Sequence, residues 1–224
     1  MSFLGEMVIP VAARESKLSL AQVEEVRQEI QSFHPCVVFV STYLQTQGDK
    51  DLSTSLRYKE KTDFFTKEID QLLLHNQCRI AIHSAKDLPE PLHPDLEVIA
   101  LTRGVDPSDV LVLRQEETVH SLPRGARIGT SSLRREQIIK ALRQDLQPVD
   151  IRGTVEKRLE LLDQKHIEGL VMAEAALLRL KLTNRSRIFL QGAVAKGQGQ
   201  LAVVARKEDK QMKELFSCID VRQS

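Results

Sequence analysis

The chain is short of cysteine, of net charge and of long apolar runs, and each shortage removes a class of protein. Its three cysteines, Cys36, Cys78 and Cys218, lie far apart and form no CxxC pair. Neither a zinc site nor a disulfide framework is expected from them, and no metal is. Such sparse cysteine fits a reducing compartment, the cytoplasm. The formal net charge is +1, so any basic surface must be local, and no nucleic-acid partner is expected. No apolar run approaches the length that spans a bilayer, so no membrane partner is expected either. Residues 1–16 carry an early acid, Glu6, and no basic n-region, and read as the start of a fold rather than a signal peptide. Neither GxxxxGKS/T nor a full GxGxxG occurs. Gly197-Gln198-Gly199 stands before a strand, the wrong context for a nucleotide fingerprint. Low-complexity stretches and obvious sequence repeats are absent as well.

What is present is the composition of a globular protein: 42% hydrophobic and 28% charged over 224 residues. That length suits one large domain or two ordinary ones. Short β-branched runs alternate with helical periods. Strands are predicted at 7–13, 36–44, 79–85, 96–102, 109–113, 126–130, within VDIRG (149–153), at 169–173 and at 201–206. Leu20, Val23, Val26 and Ile30 mark a helix over 18–30. Phe64, Phe65, Ile69, Leu72 and Leu73 mark another, with Asp63 as its N-cap. Further helices are expected at 133–144 behind a Ser131-Ser132 cap, at 154–164, after Ala173 and in the tail. This alternation predicts an α/β protein with mostly parallel sheets and helices on both faces. Thr102–Pro107 and 192–199 are the hinge candidates. They suggest a second domain, 104–194, inserted in a first made of 1–103 and 195–224.

Ligands of open α/β sheets bind beyond the carboxyl ends of the strands. Four such places carry Arg, Lys, Ser or Thr: Arg14 and Ser16; His83 to Asp87; Gly129 to Arg135; and Arg152-Gly153-Thr154 with Arg158. Helix N-termini, hydroxyls and guanidinium forks suit carboxylate or phosphate, and several together suit a ligand with several anionic groups. For any one loop, helix capping and solvated arginine explain the residues equally well. Asp87, stiffened by the following Leu88-Pro89, could act as a proton donor and acceptor or stabilise a developing cation. It reads equally as a surface carboxylate paired to Lys86. His83 lies in an apolar run and reads as a core histidine.

HSAKDLP (83–89) resembles the HSMKD-x-P motif of the porphobilinogen deaminase (hydroxymethylbilane synthase) family. GTSSLRR (129–135) is similar to that family's motif residue for residue, and IRGTVEKRL (151–159) resembles its LRGNV-x-TRL. AARES (12–16), TQGD (46–49), AEAALLRLKL (173–182) and KGQGQLAVVAR (196–206) also match, in order, so the resemblance covers nearly the whole chain. It implies two doubly wound, mixed-sheet α/β domains of periplasmic-binding-protein-like architecture with a cleft between them. It also implies a monomeric transferase of tetrapyrrole (haem) biosynthesis. Such an enzyme joins four porphobilinogen molecules head to tail, releases ammonia and yields hydroxymethylbilane. By motif, Asp87 would assist ammonia loss and stabilise the azafulvene-like cation. Arg14, Ser16, Lys86, Thr130, Ser131, Ser132, Arg134, Arg135, Arg152, Arg158 and Arg179 would bind carboxylates of substrate or cofactor. Gln198 and Gly199 would line the domain junction.

The chain departs from the family's pattern in several places. The family tethers a dipyrromethane primer to a cysteine in a third domain, and none of the three cysteines lies in a matching motif. The family's GGKG-LFVKE segment appears as residues 60–68 without its glycines, with Thr62 in place of the Lys. Lys17 replaces a proline, and Glu174 and Lys181 replace small residues. Three readings follow: a short or divergent enzyme, a piece cut from a longer one, or a non-catalytic binding protein for carboxylated small molecules.

Overall fold

The computed structural model describes residues 5–57 and 62–223. The N-terminal reading above falls partly on residues 1–4, and the segment that lacks the family's glycines partly on 58–61; both parts lie outside the described residues. Among the described residues, ten strands fall into two five-stranded sheets. The chain clusters into two units. The first takes Met1–Lys50, Lys61–Val105 and Gln200–Ser224; the second takes Asp51–Glu60 and Asp106–Gly199.

The first sheet contains β1 (Met7–Arg14), β2 (Val37–Leu44), β3 (Ile80–Ser84), β4 (Leu96–Leu101) and β10 (Leu201–Arg206). Its order is β2-β1-β3-β10-β4. β1 runs parallel to β2 and β3, while β10 is antiparallel to β3 and β4. The second sheet contains β5 (Asp109–Val112), β6 (Arg127–Gly129), β7 (Gln147–Val149), β8 (Gly169–Ala173) and β9 (Arg187–Leu190). Its order is β7-β6-β8-β5-β9, with β6 parallel to β7 and β8 and β5 antiparallel to β8 and β9. The two sheets therefore share one topology, although the sequence shows no repeat. "Mostly parallel" is corrected to mixed, because in each sheet one reversed strand separates three parallel strands from the edge.

The near-continuous apolar runs of the central strands follow from burial on both faces. In β1, Ile9, Val11 and Ala13 face one core with Val23, Val26 and Ile30 of α1 (Lys17–Phe33), while Ala12 faces Ile69 and Leu73 of α3 (Lys67–Leu74). In β5, Leu111 packs with Ile139 of α4 (Leu133–Leu142), and Val110 and Val112 pack with Leu159 and Leu162 of α5 (Val155–Asp163). Helices α2 (Gln47–Lys50), α6 (Glu174–Arg179) and α7 (Lys210–Phe216) complete the set. Among the described residues no helix is long and apolar enough to cross a membrane.

Several local expectations are corrected. Asp63 opens a 3-10 turn, Asp63–Phe65, and α3 starts later behind Thr66, which makes no side-chain cap bond. Ser132 occupies the N-cap of α4 without capping it, and the Ser131 hydroxyl donates to the Ile151 carbonyl instead. Only Val149 of the VDIRG stretch is in a strand. β9 escaped the pattern reading because Arg187 opens it and Phe189 is exposed on it. The departures from the family's pattern have plain local settings. Lys17 is the first residue of α1, behind an extended Ser16, which is where proline fits without strain. Lys181 follows the α6 C-cap with φ +57°, a conformation glycine adopts freely. Glu174 is buried and paired in a double fork with Arg187.

Candidate functional site

Each unit presents its polar residues after the carboxyl ends of its parallel strands, as open α/β sheets do. In the first unit β1 ends at Arg14. Its guanidinium grips Asp49 through two bonds, with Nε 3.1 Å from Oδ2, and lies 4.6 Å over the Phe65 ring. Asp49 also accepts from the Thr46 amide (3.0 Å) and hydroxyl (2.8 Å). Burial works against the Asp49 charge, and Arg14 and Thr46 more than offset it, holding the carboxyl below its usual range. Gly48 lets Phe65 sit against this pair, since a Cβ there would strike the ring and the Phe64 carbonyl. Ser16 caps α1 by accepting from the Ser19 amide at 3.2 Å.

Strand β3 ends at Ser84, and a 3-10 turn, Ala85–Asp87, follows. The turn is anchored by the Ala85 amide, which donates to the Gln200 carbonyl at 3.0 Å. Asp87 is half-buried and, among the described residues, makes no hydrogen bond or ion pair; in particular none joins it to Lys86. It shares a cavity of about 50 Å3 with Arg14, Ser16, Gln22, Thr66, His83 and Ser84. Gln22 donates to the Ser84 hydroxyl at 2.8 Å. His83 is buried as a core residue, yet it also lines this cavity, with Nε2 3.6 Å from Asp70 Oδ1.

In the second unit β6 ends at Gly129, and Thr130 follows, buried, with its amide on the Val149 carbonyl and no partner for its hydroxyl. The next arginines converge on Asp109, which is 1% exposed. Arg134 Nη1 lies 2.6 Å from Asp109 Oδ2, and Arg135 Nη2 lies 2.7 Å from Oδ1. The Gln198 amide donates to Oδ1 at 2.8 Å. Burial opposes the Asp109 charge, and Arg135 leads the groups that keep its carboxyl below the usual range. Arg152 Nη2 donates to the Asp51 carbonyl (2.8 Å), Arg158 Nε to the Gly153 carbonyl (2.8 Å), and Arg179 Nη2 to the Gly199 carbonyl (2.8 Å). Gly199 itself is at φ +86°.

The sequence-predicted residues thus fall into two sets. Arg14, Ser16 and Asp87 line one cavity of the first unit, with Lys86 in the same turn as Asp87. Thr130, Ser131, Ser132, Arg134, Arg135, Arg152, Arg158, Arg179, Gln198 and Gly199 belong to the second unit. Asp49, Asp109 and the His83–Asp70 pair were missed. Asp109 opens a strand and reads as a boundary residue, and Asp49 and Asp70 lie on helices whose partners are remote in sequence. A larger, shallower groove of about 490 Å3 on the second unit is lined by Arg57, Glu136, Gln137, Lys140 and Pro148. Its cations are engaged, Arg57 with Glu136 and Lys140 with the Leu146 carbonyl (2.6 Å), and it holds no sequence-predicted residue.

Cys36 and Cys78 precede β2 and β3, at the ends of the parallel strands opposite Arg14 and Asp87. Burial pushes the Cys78 and Cys218 thiols up, away from the nucleophilic thiolate.

Residues 9–214 match the family model described as porphobilinogen deaminase, dipyromethane cofactor binding domain. A probable porphobilinogen deaminase of Chlamydia pneumoniae is 39% identical over 220 residues, covering 98% of this chain and 93% of that protein. A porphobilinogen deaminase of Desulforudis audaxviator is 40% identical over 215 residues, covering 95% of this chain and 70% of that protein. Among solved structures, CbnR, a LysR family transcriptional regulator, aligns at TM-score 0.56 and 11% identity over 93% of this chain and 67% of that one. An arginine periplasmic binding protein of Legionella pneumophila aligns at 0.51 and 12% identity over 94% and 91%. At such identities these two show the fold alone: each unit has the mixed sheet of periplasmic-binding-protein-like domains.

Proposed function

Since the chain belongs to the porphobilinogen deaminase family, we propose that it is a transferase of porphyrin biosynthesis that condenses porphobilinogen stepwise, head to tail, with release of ammonia. The observation that carries this reading is Asp87. Its carboxylate stands half-buried and, among the described residues, without a partner after the carboxyl end of β3, inside a segment that resembles a family motif. An unpaired carboxylate held in place by an anchored turn is available to the pyrrole nitrogens and to the cation left when ammonia departs. The acetates and propionates of the pyrroles are bound by the guanidinium groups of Arg14, Arg134, Arg135, Arg152, Arg158 and Arg179, the ammonium of Lys86 and the hydroxyls of Ser16, Thr130, Ser131 and Ser132, and Gln198 and Gly199 are counted with the second unit's set. In the family, dipyrromethane when bound supplies the nucleophilic pyrrole on which the chain grows. The cysteines here do not fit its covalent attachment, so no step is routed through it.

Purified protein incubated with porphobilinogen should yield a bilane that oxidises to uroporphyrin, and Asp87→Asn should abolish this. No product from the wild type, even with added preuroporphyrinogen, overturns the reading. A second reading is a binding protein without turnover. It is favoured by the internal pairing of Arg14 with Asp49 and of Arg134 and Arg135 with Asp109, which leaves fewer free donors for a ligand. Under it the wild type binds pyrroles without product, and Asp87→Asn leaves that affinity intact.

A further inference from the structure

The two arginines in the first turn of α4 do not spend their charge alike. Arg135 turns its Nε and Nη2 edge onto Asp109 Oδ1, at 3.1 and 2.7 Å, and its side chain is 12% exposed. Arg134 reaches Asp109 Oδ2 and the Ala193 carbonyl through Nη1 alone, and its side chain is 26% exposed. Its Nε and Nη2 edge makes no hydrogen bond or ion pair among the described residues. That edge is one on which a guanidinium takes a carboxylate as a fork.

Asp109 is buried, and so is Gln198, whose amide donates to Asp109 Oδ1 at 2.8 Å and to the Pro107 carbonyl. Burial opposes the Asp109 charge, but Arg135, Arg134 and Gln198 hold its carboxyl below the usual range, so it is ionised at neutral pH. Two guanidinium groups and one carboxylate sum to one net positive charge. The repulsion between this carboxylate and a bound anion grows in proportion to the anion's charge. It therefore costs a dianion twice what it costs a monoanion, and a difference of that kind is what specificity consists of.

We propose that Asp109 is a specificity-determining residue: it sets the arginine pair at one net positive charge with one open fork on Arg134, so that the pair takes a carboxylate in preference to a dianion such as sulfate. The proposal rests on the reading that Arg134 and Arg135 bind the carboxylates of a pyrrole. It gives their pairing with Asp109, which otherwise counts against a ligand there, a use in choosing that ligand. Arg135 and Gln198 act as positioning residues for Asp109, and Arg134 meets the anion.

The test measures Kd for sodium sulfate and sodium acetate by titration calorimetry at neutral pH and one ionic strength. Asp109→Asn should bind acetate about threefold and sulfate about tenfold more tightly than the wild type, because the charge it uncovers acts twice on a dianion. Equal changes for the two anions, weaker binding of both, or binding of neither overturns the proposal, since a merely structural Asp109 would loosen both alike. Should Asp109→Asn fail to fold, the same comparison is made in Arg135→Gln, which brings the pair to zero net charge. Adding Asp109→Asn there restores the single positive charge and leaves no buried cation without its counter-ion. The double variant should then bind sulfate about tenfold and acetate about threefold more tightly than Arg135→Gln alone, and no difference between the two overturns the proposal as well. Porphobilinogen separates this from the transferase reading. A protein that follows the anion pattern but neither binds nor turns over porphobilinogen overturns that reading and leaves Asp109 as the selector of anion charge. Uroporphyrin from the wild type, with no anion discrimination lost in the variants, overturns the selector alone.

Discussion

Replacing Asp109 by alanine is expected to be the most damaging single change among the polar residues of the second unit. Asp109 accepts from Arg135 Nε at 3.1 Å and Nη2 at 2.7 Å and from Gln198 at 2.8 Å, and it pairs with Arg134 at 2.6 Å. Alanine would leave two guanidinium groups without their counter-ion. Breaking a buried pair from one side costs about 3–5 kcal/mol. The side chain of Arg134 is 26% exposed, so water recovers part of its loss, and about 3 kcal/mol is the expected cost. With a urea slope of about 1–3 kcal/mol per molar, the midpoint should fall by roughly 1 M or more. Far-UV circular dichroism in urea reads this directly. Folded Asp109 titrates below the usual carboxylate range, because its arginine partners outweigh the burial that opposes its charge. Its contribution is therefore complete above the unfolded value of about 3.9 and is lost as the pH falls through the lower folded value. The gap between wild type and Asp109→Ala should be full at pH 7 and shrink below about pH 4. A gap under about 1 kcal/mol at pH 7, or one that widens between pH 5 and pH 3, would refute the account of Asp109 as the buried counter-ion.

Two further substitutions test the local readings. Lys181→Gly relieves a left-handed residue after α6 and should stabilise the protein by about 0.5–1 kcal/mol, raising Tm by roughly 1–4 °C in calorimetry. An unchanged or lowered Tm counts against the strain. Gly48→Ala places a Cβ 2.8 Å from the Phe64 carbonyl and closer still to the Phe65 ring. It should cost about 1–3 kcal/mol in urea denaturation, and a neutral result would mean that Phe65 moves freely.

The chain's α/β class, the order of most of its elements and the polar loops that follow its strands were legible in the sequence, because local rules govern them. Buried central strands read as apolar runs, as at Leu170–Met172 and Val203–Val204. Apolar residues at helical spacing placed α1. The resemblance to family motifs drew attention to Asp87 and the arginines. Short-range geometry was less legible, since a 3-10 turn and a helix start share the same apolar pattern at Asp63–Lys67. Only the tertiary structure showed that both sheets have one topology with a reversed strand, because strand direction depends on pairings between residues such as Ala202 and His83, more than a hundred positions apart. Only it showed where three of the arginines spend their charge: Arg14 on Asp49, and Arg134 and Arg135 on Asp109. Ion pairs follow distance in space, and sequence spacing carries no trace of a carboxylate 25 residues upstream. The approach of His83 Nε2 to Asp70 Oδ1, 3.6 Å apart on a strand and a helix, belongs to the same class, since it is set by how the two elements pack.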